Sequence, residues 1–383
     1  MPTRLPAVAL ALLVASLSVG AAAPGDDPGA WDKAAAARYL DARMAVWWQK
    51  AKPLTSGDTT TKCLSCHTAI PYALARPALR KAMGVAAATA HETTILDTVR
   101  TRLAHLDNQQ PFYDHTEDKK TESRGVEAVL SAFLLTSHEA GAGVTTPDAA
   151  TQKAIARLWQ VQRADGAWDW LNFGLEPYES SDAVFHGATV AAMAAGSPAG
   201  RAASATPEGR AGLEKLRGYV RANLTAQRLF NQTWALLADT RLPTLLEAVE
   251  RERIVRSLDA RQRPDGGWSL ADLGGWRWSK ADAPYASPGP TDAALIGASD
   301  AYATGLVVYA LKQAGLGARP TAQKGLTWLR ASQQAERPGD AAWAPWRAHS
   351  LNFDREHGGD KGEPWRRMFM SDLATAFAVL ALL

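Results

Sequence analysis

Apolar residues recur with the spacing of α-helices along most of the chain. Ile95, Val99, Leu103 and Leu106, for example, are three or four positions apart, which places them on one face of a helix. From residue 30 onward this pattern predicts helices over residues 31–50, 77–87, 91–106, 123–138, 148–162, 182–195, 207–226, 232–239, 242–262, 300–314, 318–334 and 371–383. No segment alternates apolar and polar residues convincingly. About twelve helices and no strands are therefore expected, and the fold class is all-α.

A short turn pattern is repeated between these helices. Both copies read Gln-Arg-x-Asp-Gly-x-Trp, with Gln162, Asp165 and Trp168 in the first and Gln262, Asp265 and Trp268 in the second. A degenerate third copy begins at Gln333 and, after a four-residue insertion, ends at Trp343. Asp-Gly favours a tight turn, and Gln and Trp can fasten that turn to its neighbours. These residues are predicted to hold the fold together rather than to perform chemistry.

Each copy of the turn is followed by a Ser-Asp pair that opens an Ala-rich apolar helix. The pairs are Ser181-Asp182, Ser299-Asp300 and Ser371-Asp372. Such a pair predicts a helix N-cap, whose side chain accepts a hydrogen bond from an otherwise unpaired backbone N–H. Repetition of the whole unit indicates stacked helix pairs that bury their apolar faces against one another.

The repeated turn resembles the QW repeat of the squalene-hopene cyclases and related terpenoid cyclases. The resemblance covers residues from about 150 to 383 and implies an (α/α)6 toroid with inner and outer helices. It suggests a QW-repeat toroid portion over residues 141–383, preceded by an N-terminal helical part over residues 24–140. The two parts are expected to form one continuous toroid over residues 30–383.

The first residues read as a secretory signal peptide. Arg4 provides a positive start, residues 5–19 are mostly apolar, and small residues follow up to Ala23. Cleavage after about residue 23 is expected, because the apolar run is shorter than a membrane-spanning helix needs. The mature protein is therefore predicted to be exported, to the periplasm in a two-membraned bacterium, without a stable membrane span.

The sharpest chemical motif is Cys63-Leu64-Ser65-Cys66-His67, which contains both cysteines of the chain. Two thiols at this spacing can each add to a heme vinyl group, and the adjacent His67 can bind the iron, so heme c is the predicted cofactor. A thiol–disulfide pair is the first alternative, but it usually accompanies a βαβ unit. A zinc site is the second, and it needs more ligands.

The sequence does not indicate which residue would be the sixth ligand of the predicted heme iron. The downstream candidates are Met83, His91, His105 and His115, and each is also explained as a surface or packing residue. His186 could arrive from the toroid. Two axial ligands would favour electron transfer, whereas an open position would permit chemistry at the iron.

The acidic Asp-x-Asp-Asp cluster of proton-initiated terpenoid cyclases is absent from the sequence. The nearest group is Glu179, Asp182 and His186, which are candidates for an acid/base cluster in the toroid cavity, although Asp182 also reads as an N-cap. The prenyltransferase zinc site is not found either, since both cysteines belong to the heme motif. Whether the protein is an enzyme is left open.

Composition limits the remaining choices. The chain of 383 residues is 46% apolar and 21% charged, which excludes a disordered protein. A formal charge of +3 gives no reason to expect a nucleic-acid partner. The leading prediction is an exported monoheme c-type cytochrome that transfers electrons to an unidentified redox partner. The alternatives are a periplasmic enzyme acting on an isoprenoid or other small apolar ligand, and a non-catalytic ligand-binding toroid in which heme is a structural staple.

Overall fold

The computed structural model describes residues 30–64, 66–274, 276, 298–335, 343–351 and 368–383. Within these residues the helices are α1 Lys33–Lys50, α2 Ala69–Ala82, α3 Ala90–Ala104, α4 Glu117–Gly141, α5 Ala149–Gln160, α6 Ala183–Gly196, α7 Pro198–Ala203, α8 Pro207–Asn223, α9 Leu229–Asp239, α10 Ala248–Arg261, α11 Ala301–Gln313, α12 Pro320–Ser332 and α13 Phe369–Leu382. One hairpin joins β1 Pro53–Ser56 to β2 Thr59–Lys62. The predicted signal peptide lies outside the described residues.

Six helices form a closed inner ring. In ring order they are α2, α4, α6, α9, α11 and α13, and α13 packs back against α2. Outside this ring, α1 packs on α2 and α13, α3 on α2 and α4, α5 on α4, α8 on α6, α10 on α9 and α12 on α11. The predicted all-α (α/α)6 toroid is therefore confirmed.

The sequence of each helix matches its layer. Every residue of α6 except Val184 is buried, because α6 is surrounded by other helices. The outer helix α8 buries only Gly209, Gly212, Leu216 and Val220, which lie on one face. An apolar stripe on one side thus identifies an outer helix, and an apolar residue at nearly every position identifies an inner one.

The repeated Gln fastens each turn to the next outer helix. The side-chain amide of Gln162 donates to the carbonyl oxygens of Gly166 and Gly212, each at 3.0 Å. The amide of Gln262 donates to the carbonyl oxygens of Gly266 and Thr321, each at 2.8 Å. Gly212 lies in α8 and Thr321 in α12, so each Gln joins two successive helix pairs.

Asp and Trp complete the repeated turn. Asp165 and Asp265 each accept a backbone N–H bond two residues on, at 3.1 and 3.0 Å. The following glycines have φ of +96° and +92°, a backbone conformation that side chains disfavour. Trp168 and Trp268 are fully buried, and their indole N–H groups donate at 2.8 Å to the carbonyl oxygens of Leu158 and Leu258.

The third copy closes the ring. Gln333 exchanges two hydrogen bonds with the backbone of Asp32, of 2.8 and 2.9 Å, and so joins the last repeat to the start of α1. The buried indole that donates to the preceding helix is Trp346, at 2.8 Å to the carbonyl oxygen of Leu329, and not the expected Trp343. The aspartate expected in this copy, Asp340, lies outside the described residues.

Of the three predicted Ser-Asp caps, one forms as expected. Asp300 caps α11 and accepts from the N–H of Ala303 at 2.8 Å. Asp182 precedes α6 without a capping bond, because its carboxylate pairs with Arg228 at 3.0 Å. Asp372 lies inside α13, which begins at Phe369, and contacts a buried arginine from α1. In both exceptions a long-range ion pair replaces the local bond.

Several elements differ from the prediction; the helix expected from residue 123, for example, begins at Glu117, and the short helix α7 was not expected. The helix expected from residue 77 begins at Ala69 and includes Pro77. The helix expected from residue 242 begins at Ala248, where Glu247 and Glu250 form a capping box. The loop expected before the cysteines contains the hairpin β1–β2.

Replacing the repeated Gln with an apolar residue should destabilise the ring. We expect Gln162→Leu to cost about 1–3 kcal/mol of unfolding free energy, because the two carbonyl oxygens lose their donor. Urea denaturation measures the change. Gln160→Leu, at an exposed position at the end of α5, is the control and should change stability by less than about 0.5 kcal/mol. Equal stability of the wild type and Gln162→Leu would contradict the role of the Gln.

Candidate functional site

A cavity of about 750 Å³ opens where several inner helices begin. Its walls come from the end of α1, the hairpin, the Cys63–Cys66 motif before α2, the segment before α4, the loop before α6 and the first turn of α13. We call it the rim cavity. Its volume is in the range of small-molecule and cofactor sites.

The rim cavity has an apolar interior and a charged mouth. Its buried wall residues include Leu54, Leu64, Phe112, Val126, Leu171 and Met370. Its exposed wall residues are Lys50, Lys52, Tyr113, Asp114 and His115. The interior therefore suits an apolar group, and the mouth suits a polar or charged one.

The three chemical residues of the predicted heme motif line the rim cavity together. Cys63, Cys66 and His67 are all on its wall, and neither cysteine is in a disulfide. The motif is held between β2, which ends at Lys62, and α2, which begins at Ala69. The structure thus places these three predicted residues on the wall of one cavity.

Electrostatics at the two thiols do not favour thiol–disulfide chemistry. Burial raises the pKa of both Cys63 and Cys66, and the nearby negative charge of Glu179 raises it further. Reactive C-x-x-C cysteines instead have a lowered pKa. Among the described residues, no group of three or more His, Cys, Asp or Glu side chains is arranged to hold a metal ion.

His67 is fixed by aromatic neighbours. Its imidazole stacks on Phe369 with ring centroids 5.0 Å apart and an interplanar angle of 11°. The ring of Tyr178 meets it edge-on at 5.9 Å. Phe369 is in the first turn of α13, so this helix helps to set the orientation of His67.

Two carboxylates also reach the rim cavity. Glu176 is buried and accepts from Arg228 and from the hydroxyl of Ser180, both at 2.7 Å. Glu179 is half-buried, and its backbone exchanges hydrogen bonds of 2.9 and 2.8 Å with Leu175. These contacts hold the loop that presents both carboxylates to the cavity.

The candidates for a sixth iron ligand are placed differently from one another. His115 lies at the mouth of the rim cavity. Met83 is 37% exposed at the end of α2, His91 lies edge-on to Tyr72, and His105 covers Gly57. None of these last three lines the rim cavity.

The expected acid/base group Glu179, Asp182 and His186 is not brought together in one site. Glu179 lines the rim cavity, whereas Asp182 pairs with Arg228 outside it. His186 lines a separate apolar void of about 30 Å³ among the inner helices. Burial lowers the pKa of His186 to about 3, and its Nδ1 has no partner among the described residues.

The sequence prediction did not include several residues of this site, among them Phe369, Met370 and Glu176. Phe369 and Met370 directly precede Ser371, a residue of a predicted N-cap, and Glu176 lies three positions before Glu179. A second carboxylate close to Glu179 was a usable signal. Nothing in the local pattern at Phe369 indicates that it meets His67.

Comparison with known proteins identifies the fold class but no family. No family model and no curated protein matches the chain. Among solved structures, the fold is similar to a UGL variant with the oligosaccharide dGlcA-Glc-Rha-Glc, with a TM-score of 0.51 and 16% identity over 91% of this chain and 95% of that one. It is also similar to the unsaturated glucuronyl hydrolase from Bacillus sp. GL1, responsible for the degradation of glycosaminoglycan, with a TM-score of 0.51 and 15% identity over 92% of this chain and 97% of that one.

These similarities, at low identity, concern the fold, and they correct the expected family. The resemblance to squalene-hopene cyclases is wrong, because the similar toroids are glucuronyl hydrolases. The physical reason is visible in the repeats: Gln162, Asp165 and Trp168 fasten one helix pair to the next. Such fastening serves any toroid of helix pairs and carries no cyclase chemistry.

The expected functions are corrected by the same finding. The electron-transfer cytochrome, the isoprenoid-processing enzyme and the non-catalytic toroid stapled by heme are all wrong, since the similar structures are glycan-degrading hydrolases. Among the described residues, no helix has the length and apolar character required to cross a bilayer.

Proposed function

We propose that the chain is a carbohydrate-processing enzyme that takes its saccharide at the mouth of the rim cavity. The observation that carries the proposal is the presence of Glu176 and Glu179 on the same cavity wall as the aromatic rings of Tyr113 and Phe173. The two similar solved structures, a hydrolase that degrades glycosaminoglycan and a variant with a bound oligosaccharide, support it.

The aromatic rings suit a sugar ring. Tyr113 and Phe173 pack edge to face with centroids 4.8 Å apart, and the ammonium of Lys119 lies 4.6 Å from the Phe173 centroid. Aromatic faces can cover the C–H surface of a sugar while polar neighbours meet its hydroxyl groups. These rings are therefore proposed as the platform that positions the saccharide.

The carboxylates suit cleavage of a glycosidic bond. In this reaction one carboxyl group gives its proton to the leaving oxygen, and a second carboxylate assists the water whose oxygen bonds to the anomeric carbon. Glu179 is assigned the proton transfer. Glu176 is assigned the second role, because Arg228 and Ser180 hold both of its oxygens in place.

Charge at the mouth points to an acidic saccharide. Lys50 and Lys52 are both exposed on the wall of the rim cavity. An ammonium group attracts a carboxylate, and the attraction weakens as salt is added. Oligosaccharides that end in a uronic acid are thus the proposed substrate class.

The test is a cleavage assay on a panel of oligosaccharides with either a uronic acid or a neutral sugar at the end, read by mass spectrometry. We expect cleavage of acidic members, and a kcat for Glu179→Gln that is lower by about 10²–10⁴-fold. Glu214→Gln, whose side chain is 79% exposed on α8, is the matched control and should keep the wild-type rate. An intact panel, or an unchanged rate for Glu179→Gln, would overturn the proposal.

A further inference from the structure

The proposed carbohydrate chemistry gives no role to the cysteine motif in the interior of the rim cavity. We infer that this interior is an attachment site for one heme c, with thioether bonds to Cys63 and Cys66 and with His67 as an iron ligand. The inference goes beyond the proposed function and does not rest on it. It is carried by the convergence of all three side chains on one cavity of about 750 Å³.

The chemistry of the walls matches a porphyrin. Leu64, Val126 and Leu171 provide buried apolar surface for the macrocycle. Toward the mouth the wall becomes exposed to water, where the porphyrin's two charged propionate groups can stay hydrated. Heme has an apolar ring and two charged propionates at one edge. It therefore fits a cavity with an apolar interior and a polar mouth.

The covalent step needs no additional oxidant or reductant. Each thiol adds across one vinyl C=C bond: the sulfur bonds to the carbon nearest the porphyrin, and the thiol hydrogen goes to the terminal carbon. Nothing leaves, and the addition is neutral in electrons. It requires two unbridged thiols, and Cys63 and Cys66 are both free of a disulfide.

The motif is held at both ends. The indole N–H of Trp47 donates to the carbonyl oxygen of Cys63 at 2.9 Å, and the ammonium of Lys62 donates to the carbonyl oxygen of Trp48. On the other side, the hydroxyl of Thr68 donates to Asp372 at 2.7 Å. These contacts fix the backbone on either side of the motif, as a preorganised site requires.

A sulfur ligand for the iron is available on the same wall. Met370 lines the rim cavity and is 6% exposed, whereas the other candidate on the wall, His115, is exposed at the mouth. A thioether paired with a histidine is one of the axial ligand sets found for heme c. Met370 is therefore assigned as the sixth ligand.

Heme and saccharide are assigned to different parts of the cavity. The heme residues Cys63, Cys66 and Met370 belong to the interior, and the exposed Tyr113 belongs to the mouth. The two proposals can therefore fail separately. If the protein is colourless but cleaves saccharides, only the heme inference is overturned. If it carries heme but cleaves none of the panel, only the proposed carbohydrate function is overturned.

The decisive measurement is the mass of the full chain after export in a bacterium that attaches heme to exported proteins. We expect the denatured protein to weigh one heme more than the mature polypeptide and to show the pyridine hemochrome spectrum of a doubly linked heme. A denatured chain with the mass of the bare polypeptide, and with both thiols open to alkylation, would overturn the inference.

Variants distinguish attachment from loose binding. Cys63→Ser and Cys66→Ser should each keep one thioether and shift the hemochrome band, and the double variant should lose the covalent mass. Met83→Leu, at an exposed position away from the cavity, is the control and should keep the wild-type mass and spectrum. Retention of covalent heme by the double variant would contradict the assigned thioethers.

The axial ligand is tested by absorption of the purified protein. Met370→Leu should keep the covalent heme but convert six-coordinate low-spin iron to the five-coordinate high-spin form, and His115→Gln should not. An unchanged spectrum for Met370→Leu would overturn the assignment of Met370.

Discussion

Replacing Asp372 with alanine should cost about 3–5 kcal/mol of unfolding free energy, the range found when one partner of a buried ion pair is removed. Asp372 is 1% exposed and accepts four hydrogen bonds. Two come from Arg43 at 2.7 and 3.1 Å, one from Tyr39 at 2.6 Å and one from Thr68 at 2.7 Å. The alanine variant leaves a buried guanidinium without its carboxylate.

The size of this effect depends on the uncompensated charge more than on the strength of the pair. Burial raises the pKa of Asp372, and Arg43 opposes that shift. Taking both charges from water is costly, so an apolar pair of similar volume can replace a buried ion pair at little loss. The double variant Arg43→Met with Asp372→Leu should therefore recover much of the stability that Asp372→Ala loses.

Urea denaturation of the three proteins measures both expectations. Glu117→Ala is the control, since this side chain is 85% exposed in its pair with Lys120 and its denaturation midpoint should stay close to that of the wild type. A loss of under about 1 kcal/mol for Asp372→Ala would show that the buried network does not hold α1 against α13.

The second large effect is a loss of stability in acid that depends on His186. Its side chain is 5% exposed, and burial lowers its pKa to about 3 in the folded protein. In the unfolded chain a histidine has a pKa of about 6.5. The folded state therefore holds His186 neutral over a pH range in which the unfolded state binds a proton.

The direction in which stability changes with pH depends on whether the folded or the unfolded state binds more protons. Above about pH 6.5 neither state protonates His186, and its contribution to stability is fully present. As the pH falls from about 6.5 to 3, the unfolded state gains a proton and the unfolding free energy decreases by about 1.4 kcal/mol per unit. The total loss is about 4–5 kcal/mol, reached near pH 3.

Denaturation at a series of pH values between 7 and 4 isolates this contribution when the wild type is compared with His186→Phe. The variant should lose less stability on acidification, because it has no proton to bind at this position. His115→Gln, at the exposed mouth of the rim cavity, should follow the wild type. Parallel curves for the wild type and His186→Phe would contradict the burial of a neutral imidazole.

Helix periodicity predicted the all-α class and most of the helices, whereas the closed ring was implied by the resemblance of the repeated turn. The one-sided stripe of α8 and the nearly all-apolar α6 are both visible in the sequence. The hairpin was not visible. Its buried side chains are Leu54, Ser56 and Thr61, and small hydroxyl residues produce no alternation of apolar and polar positions.

Only those residues of the candidate site that lie close together in the sequence could be predicted as a group. Cys63, Cys66 and His67 are close in sequence, so spacing alone singled them out. Met370 reaches the same cavity from the last helix, and no sequence pattern joins it to the motif. The N-cap interpretation of Asp372 failed for the same reason, because Arg43 of α1 is more than 300 positions away.

Closure of the ring by the first and last helices has a consequence for the order of folding. The contacts of Asp32 with Gln333 and of Arg43 with Asp372 join residues more than 300 positions apart in the sequence. They form only after α13 has been synthesised, and until then the flank of α2 that α13 will cover stays open to water. Contacts between residues so distant in sequence form slowly, so the nascent polypeptide should need protection from aggregation until α13 docks.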